Sequence, residues 1–244
     1  MTLHAPSSSP PTAQTPTAHD WPAILAGEAL VFGLLGKLLF DEPQPAFVQT
    51  LADEAVFDEI PFGAGRAEVD AGLQLLQQWS RQHQGGLLNG AFDDLRGDFT
   101  RLFVGPGKVL AVPWESAQLH LERPIFQEET LQVRNWYRRF GLEAAKLYNE
   151  PDDHIGLELA FLAHLAQRGL AALAEGDQAR LAAVLEAQRQ FLAAHPLRWI
   201  PAWCDQVEAH ARTDFYRGVA LVTRGALAEM AATLEIDTSA RAAR

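Results

Sequence analysis

The chain has 244 residues, 48% of them apolar and 21% charged, with a net charge of −11 and a pI near 5.1. So acidic a balance excludes a general nucleic-acid binder, which needs a basic face. It suits a basic peptide partner, and equally the ordinary surface of a soluble protein.

The first 19 residues are rich in Pro, Ser, Thr and Ala. They lack the basic and apolar regions of a secretory signal, which predicts a disordered tail on a cytoplasmic chain. Trp21-Pro22 then opens a helix whose apolar residues, Leu25, Ala29, Phe32, Leu35 and Leu39, recur at helical spacing until Asp41-Glu42-Pro43. Glu28 and Lys37 interrupt its apolar run, so it reads as a core helix and not as a stable membrane insertion. A second helix is predicted over 45–56, a third over 66–83 and a fourth over 91–103, separated by Pro61, Gly63, Gly65 and Gly85-Gly86.

Val104 to Pro124 breaks the pattern. It holds glycines, prolines and Trp114 without a helical period, and reads as a hinge. Trp114 either plugs the core there or offers a binding surface. Helical periodicity resumes over 128–140, with Gly141 as a cap. After the stretch beginning at Asn149, further helices are predicted over 177–194, 197–214 and 216–234, the first two divided by His195-Pro196. No strand pattern is present. The fold class is therefore all-α: a helical bundle of two subdomains, 20–111 and 125–235, joined by a Pro/Gly-rich hinge at 112–124, with a frayed tail at 236–244.

Catalytic motifs are missing. There is no dinucleotide or phosphate-binding glycine loop, no nucleophile elbow and no HExxH. Cys204 is the single cysteine, so neither an internal disulfide nor a CxxC metal motif is available. It sits among Trp199, Pro201 and Trp203 and reads as a buried, inert thiol in a reducing compartment. The most suggestive stretch is NEPDDHIGLELAFLAHLA, 149–166. Pro151 suits a first helical turn, with Asn149 or Glu150 as the cap and Asp152 and Asp153 where the helix dipole favours anions. His154 and Glu158 stand four apart and could hold zinc or act as an acid/base pair, with His164 three turns away. Two ligands on one helix are too few for a metal site. Ile155, Leu159, Phe161, Leu162 and Leu165 read as core.

Five segments taken together resemble the TorD/DmsD family of redox-enzyme maturation chaperones. They are Leu102-Phe103-x-Gly105-Pro106, Val112-Pro113-Trp114-Glu115-Ser116, Thr130-Leu131-x-Val133-Arg134, Glu150-Pro151-Asp152-Asp153-His154-x-x-x-Glu158-Leu159 and Phe191-Leu192-x-x-His195-Pro196-Leu197-x-Trp199. The similarity runs from about Phe32 to Tyr216. It implies a cytoplasmic, non-enzymatic protein; the hinge permits a monomer or a domain-swapped dimer, and without a phosphate loop no cofactor is expected. Its partners would be the precursor of a molybdopterin oxidoreductase and that precursor's twin-arginine signal peptide. The peptide-binding residues it implies are Trp114 and Glu115 in the hinge, and Glu150, Pro151, Asp152, Asp153 and His154 at the helix start. In this reading Asp152 and Asp153 are unpaired surface carboxylates that meet guanidinium groups. A client that is not exported, or a metal-dependent hydrolase built on His154 and Glu158, are the alternatives. One departure is visible: the hinge often reads Pro-Pro-Trp, and here Val112 replaces the first proline.

Overall fold

The computed structural model describes residues 19–87, 90–120, 128–143 and 151–238. Among them are ten α-helices and no strand. In chain order these are α1 (Trp21–Phe40), α2 (Pro45–Asp53), α3 (Ala67–His83), α4 (Ala91–Phe99), α5 (Glu115–Leu119), α6 (Glu128–Arg139), α7 (Ile155–Ala174), α8 (Gln178–Ala194), α9 (Pro196–His210) and α10 (Asp214–Thr233). The expected tail at 1–19 lies outside the described residues except for His19, as do residues 239–244 and 121–124 of the hinge segment.

Local chemistry explains most boundaries. Asp20 caps α1 by accepting the Ala23 N–H at 3.2 Å, and Pro22 occupies the first turn, where its missing N–H costs nothing. Asp177 and Thr213 cap α8 and α10 in the same way. Several boundaries depart from the periodicity, among them the end of α9, which stops at His210 and not near 214. α2 stops at Asp53, because Ala55 takes a left-handed conformation at φ 50°. α4 ends as an α-helix at Phe99 and continues as one π-helical turn, Thr100–Val104, which Gly105 terminates. The segment read as non-helical contains α5. And α7 begins at Ile155, later than the acidic stretch before it.

The long helices pair antiparallel. Leu25 of α1 meets Gly169 of α7, while Phe40 meets Gly156 at the other end. Gly36 and Gly156 let the two backbones approach so closely that a Cβ added at Gly36 would lie 2.8 Å from the Gly156 carbonyl oxygen. α3 and α10 pair likewise across Gly72 and Gly218. One main core therefore draws on both sides of the 112–124 segment, from Phe32 and Leu39 to Trp203 and Met230. By length and composition α1 is apolar enough to cross a membrane; here it is a core helix, half buried against the bundle. Its Glu28 is fully buried and accepts a hydrogen bond from Gln188 of α8 at 2.8 Å. Burial pushes the Glu28 carboxyl up to about 7, against a smaller opposing effect of that bond.

Candidate functional site

The five segments singled out in the sequence converge on one corner of the molecule. Its frame is a short backbone pairing. Residues 113–115 run antiparallel to 153–155, centred on Trp114 and His154. The Glu115 N–H donates to the Asp153 carbonyl at 3.0 Å, and the Ile155 N–H donates to the Pro113 carbonyl at 2.9 Å. Trp114 and His154, at the centre of this pairing, hold extended backbone and cannot be helical. That is why α7 starts only at Ile155, and why the cap is neither Asn149 nor Glu150. His154 caps instead, its Nδ1 accepting the Gly156 N–H at 3.0 Å.

Side chains lock the pairing from both sides. Asp153 accepts the Ser116 N–H at 2.8 Å on one oxygen and the Thr130 hydroxyl at 2.8 Å on the other. Asp152 pairs with the Arg134 guanidinium at 2.7 Å, and the Tyr137 hydroxyl donates to its backbone carbonyl at 3.0 Å. Glu115 meets the His195 Nδ1 at 2.7 Å and Arg198 at 3.3 Å. Trp199 donates its indole N–H to Glu158 at 3.2 Å, and Trp203 donates to the Ala111 carbonyl at 3.1 Å. Ala111 in turn donates to the Leu102 carbonyl, tying in the first of the five segments. The π-helical turn after α4, the start of α6, the start of α7 and the start of α9 are thus stitched to residues 111–116.

Burial decides what this corner can do. Glu115, Asp152, Asp153 and Glu158 are at most 1% exposed, and Pro151 and His154 are buried too. The expectation of unpaired surface carboxylates is therefore corrected. A buried carboxylate needs partners, and Arg134, Thr130, Ser116, His195 and Arg198 supply them, all from elements distant in sequence. Trp114 alone among the described peptide-binding candidates is half-buried, with its ring edge-on to His154 at 6.0 Å. Glu150 lies outside the described residues.

The acid/base reading of His154 and Glu158 fails on the same geometry. His154 faces Gly156 and the Phe40 ring, 5.1 Å away, while Glu158 faces Trp199. Burial depresses the His154 imidazole to about 3, so it stays neutral. Burial, reinforced by the Glu115 and Asp153 carboxylates, holds Glu158 well above the usual carboxylate range. Among the described residues no group of three or more His, Cys, Asp or Glu is placed to hold a metal. Cys204 is fully buried, and burial pushes its thiol well up.

Thr130, Arg134, Tyr137, His195, Arg198 and Trp199 belong to this corner and escaped the list of site candidates. Five of them stood inside the recognised segments, Arg198 at an unspecified position, so the signal was present. What was missing was any local sign that a threonine, an arginine or a histidine would reach a particular acid.

Fold and corner define the class: an all-α protein organised around a buried polar knot, not around a catalytic set. A model of the family described as nitrate reductase delta subunit matches residues 65–205, more than half of the chain and almost all of the knot. The chain belongs to that family, and the TorD/DmsD resemblance is upheld by its relatives. It is 33% identical over 141 residues to the Tat proofreading chaperone DmsD of Salmonella typhi, covering 58% of this chain and 62% of that one. It is 26% identical over 204 residues to the probable Tat proofreading chaperone DmsD of Haemophilus influenzae, covering 84% and 90%. It is 32% identical over 120 residues to the chaperone protein TorD of Vibrio cholerae, covering 48% and 52%. The chain thus spans under two thirds of the Salmonella relative. These relatives are named as chaperones, not as catalysts.

Proposed function

We propose that this protein is a cytoplasmic maturation chaperone for a molybdopterin oxidoreductase. It holds the apo-enzyme before cofactor insertion, and it binds the twin-arginine signal peptide of the precursor, which delays export. The observation that carries this reading is the convergence of all five family segments on one knot around Trp114 and His154. A set of residues spread from Leu102 to Trp199 and drawn into a single corner marks a shared task, and the family supplies the class of task.

In this reading Glu115, Pro151, Asp152, Asp153 and His154 shape the peptide surface from beneath, and Trp114 is the one among these candidates that touches the peptide. An indole stacks on a guanidinium or packs on the apolar segment that follows the arginines. The test is isothermal titration with a twin-arginine peptide and with its Lys-Lys variant. Tighter binding of the arginine peptide, lost in Trp114→Ala at an unchanged thermal midpoint, supports the reading. Equal affinity for both peptides would leave a chaperone that recognises the enzyme body alone.

A further inference from the structure

An apolar groove lies on the bundle away from the Trp114–His154 bridge. It runs between α1, α3 and the loop after α2, and encloses about 410 Å³. That is within the range of about 300–1,000 Å³ seen for ligand clefts. Leu30 and Leu34 of α1 form one wall, Ile60 and Leu73 the other, and Val219 of α10 contributes to the floor. Leu30 is 66% exposed, the most exposed large apolar side chain described. A single exposed leucine needs no explanation, but one that walls a continuous apolar groove does.

The lip of this groove is acidic. Glu59 is its only charged lining residue among the described ones, and Asp58 stands exposed beside it. Neither carboxylate, nor that of Glu54, has an ion pair among the described residues. Residues 41–70 hold eight acidic side chains against one arginine, Arg66, which is already paired with Glu229. An apolar trough with a negative rim selects an apolar segment flanked by cations.

Other occupants fit less well. A second copy in a two-fold interface would bring Asp58 and Glu59 against the same acids of its partner, which is repulsive. The N-terminal 18 residues contain neither lysine nor arginine. The last six contain arginines, but their apolar residues are only alanines.

We propose that this groove seats the apolar segment of the client peptide, with Asp58 and Glu59 facing the cations that flank it. The identity of the peptide rests on the chaperone reading above; the location does not depend on Trp114.

The test uses the full chain and a fluorescently labelled synthetic peptide, two arginines followed by an apolar stretch, read by anisotropy. Leu30→Gln weakens binding about tenfold without moving the thermal midpoint, because this side chain is mostly in water already. Asp58→Lys with Glu59→Lys weakens binding at low salt. That loss shrinks at high ionic strength and disappears for a peptide whose arginines are glutamines. If the unaltered protein binds and both variants bind equally well, the groove is not the seat, although the chaperone reading stands. If the unaltered protein does not bind the peptide, the signal-peptide reading falls and the groove loses its partner with it. A change of oligomeric state in Leu30→Gln at unchanged peptide affinity would assign the groove to self-association and overturn the proposal.

Discussion

Trp114 and His154 face each other across an isolated antiparallel backbone bridge, and this single pairing organises the motif corner of an otherwise helical protein from two segments that neither helix periodicity nor turn chemistry connects. Its consequences are mechanical before they are functional, because most of the side chains around it are buried.

Asp153 is the clearest case. Replacing it with alanine strands the Ser116 N–H and the Thr130 hydroxyl in a buried site. The expected loss is about 1–3 kcal/mol of stability, read from urea denaturation. An unchanged midpoint would mean that the two groups find water or new partners. Peptide affinity measured on this variant therefore reports folding as much as contact, which is why Trp114 is the better probe of binding.

Arg134→Ala leaves Asp152 charged and buried without its partner. Breaking such a pair costs about 3 kcal/mol. The double variant Arg134→Met with Asp152→Asn should recover much of that loss, since no charge is left uncompensated. A double-mutant cycle on chemical denaturation gives the coupling, and additive effects would refute it.

Glu28 makes stability depend on pH with a definite sign. Its folded value of about 7 lies above the ordinary 4.5, so the folded chain holds this proton more tightly than the unfolded chain. The contribution is complete below about 4.5 and is lost as pH rises through 7, for a total of about 3 kcal/mol. Glu28→Gln keeps the shape and removes the titration. Its thermal midpoint relative to the parent should therefore be higher at pH 8 than at pH 5. A constant difference across that range would rule out the buried carboxylate as the cause.

His154 acts in the opposite direction. Its folded value of about 3 lies below the ordinary 6.5, so the unfolded chain takes up the proton first. Stability is complete above 6.5 and is lost as pH falls toward 3. Asparagine also caps helices well, so His154→Asn should keep the start of α7 while flattening the acid limb of the stability profile. A profile identical to that of the parent would place the acid sensitivity elsewhere.

At the crossing of α1 and α7, Gly36→Ala drives a methyl group against the Gly156 carbonyl and the Ala160 backbone. Overpacking of this kind costs about 1–3 kcal/mol. Gly97→Ala, at a helical glycine with open space around its Cβ position, is the control and should not destabilise. Calorimetric midpoints of the two variants decide the point.

Much of the fold was legible in the chain itself. Period-3.6 apolar spacing, with proline and glycine breaks, located nearly every helix, because those signals act within a few residues. The recognised segments also marked which residues belong to the corner. The sequence by itself therefore determined the helical class, most helix boundaries and the family. Tertiary structure alone decided that Asp152 and Asp153 are buried and partnered, that His154 rather than Asn149 or Glu150 caps α7, and that Glu115 faces His195. The reason is physical. An acidic run before an apolar helix looks the same whether its carboxylates meet water or the side chains of Arg134, Thr130 and His195. Only the packing of helices distant in sequence chooses between the two.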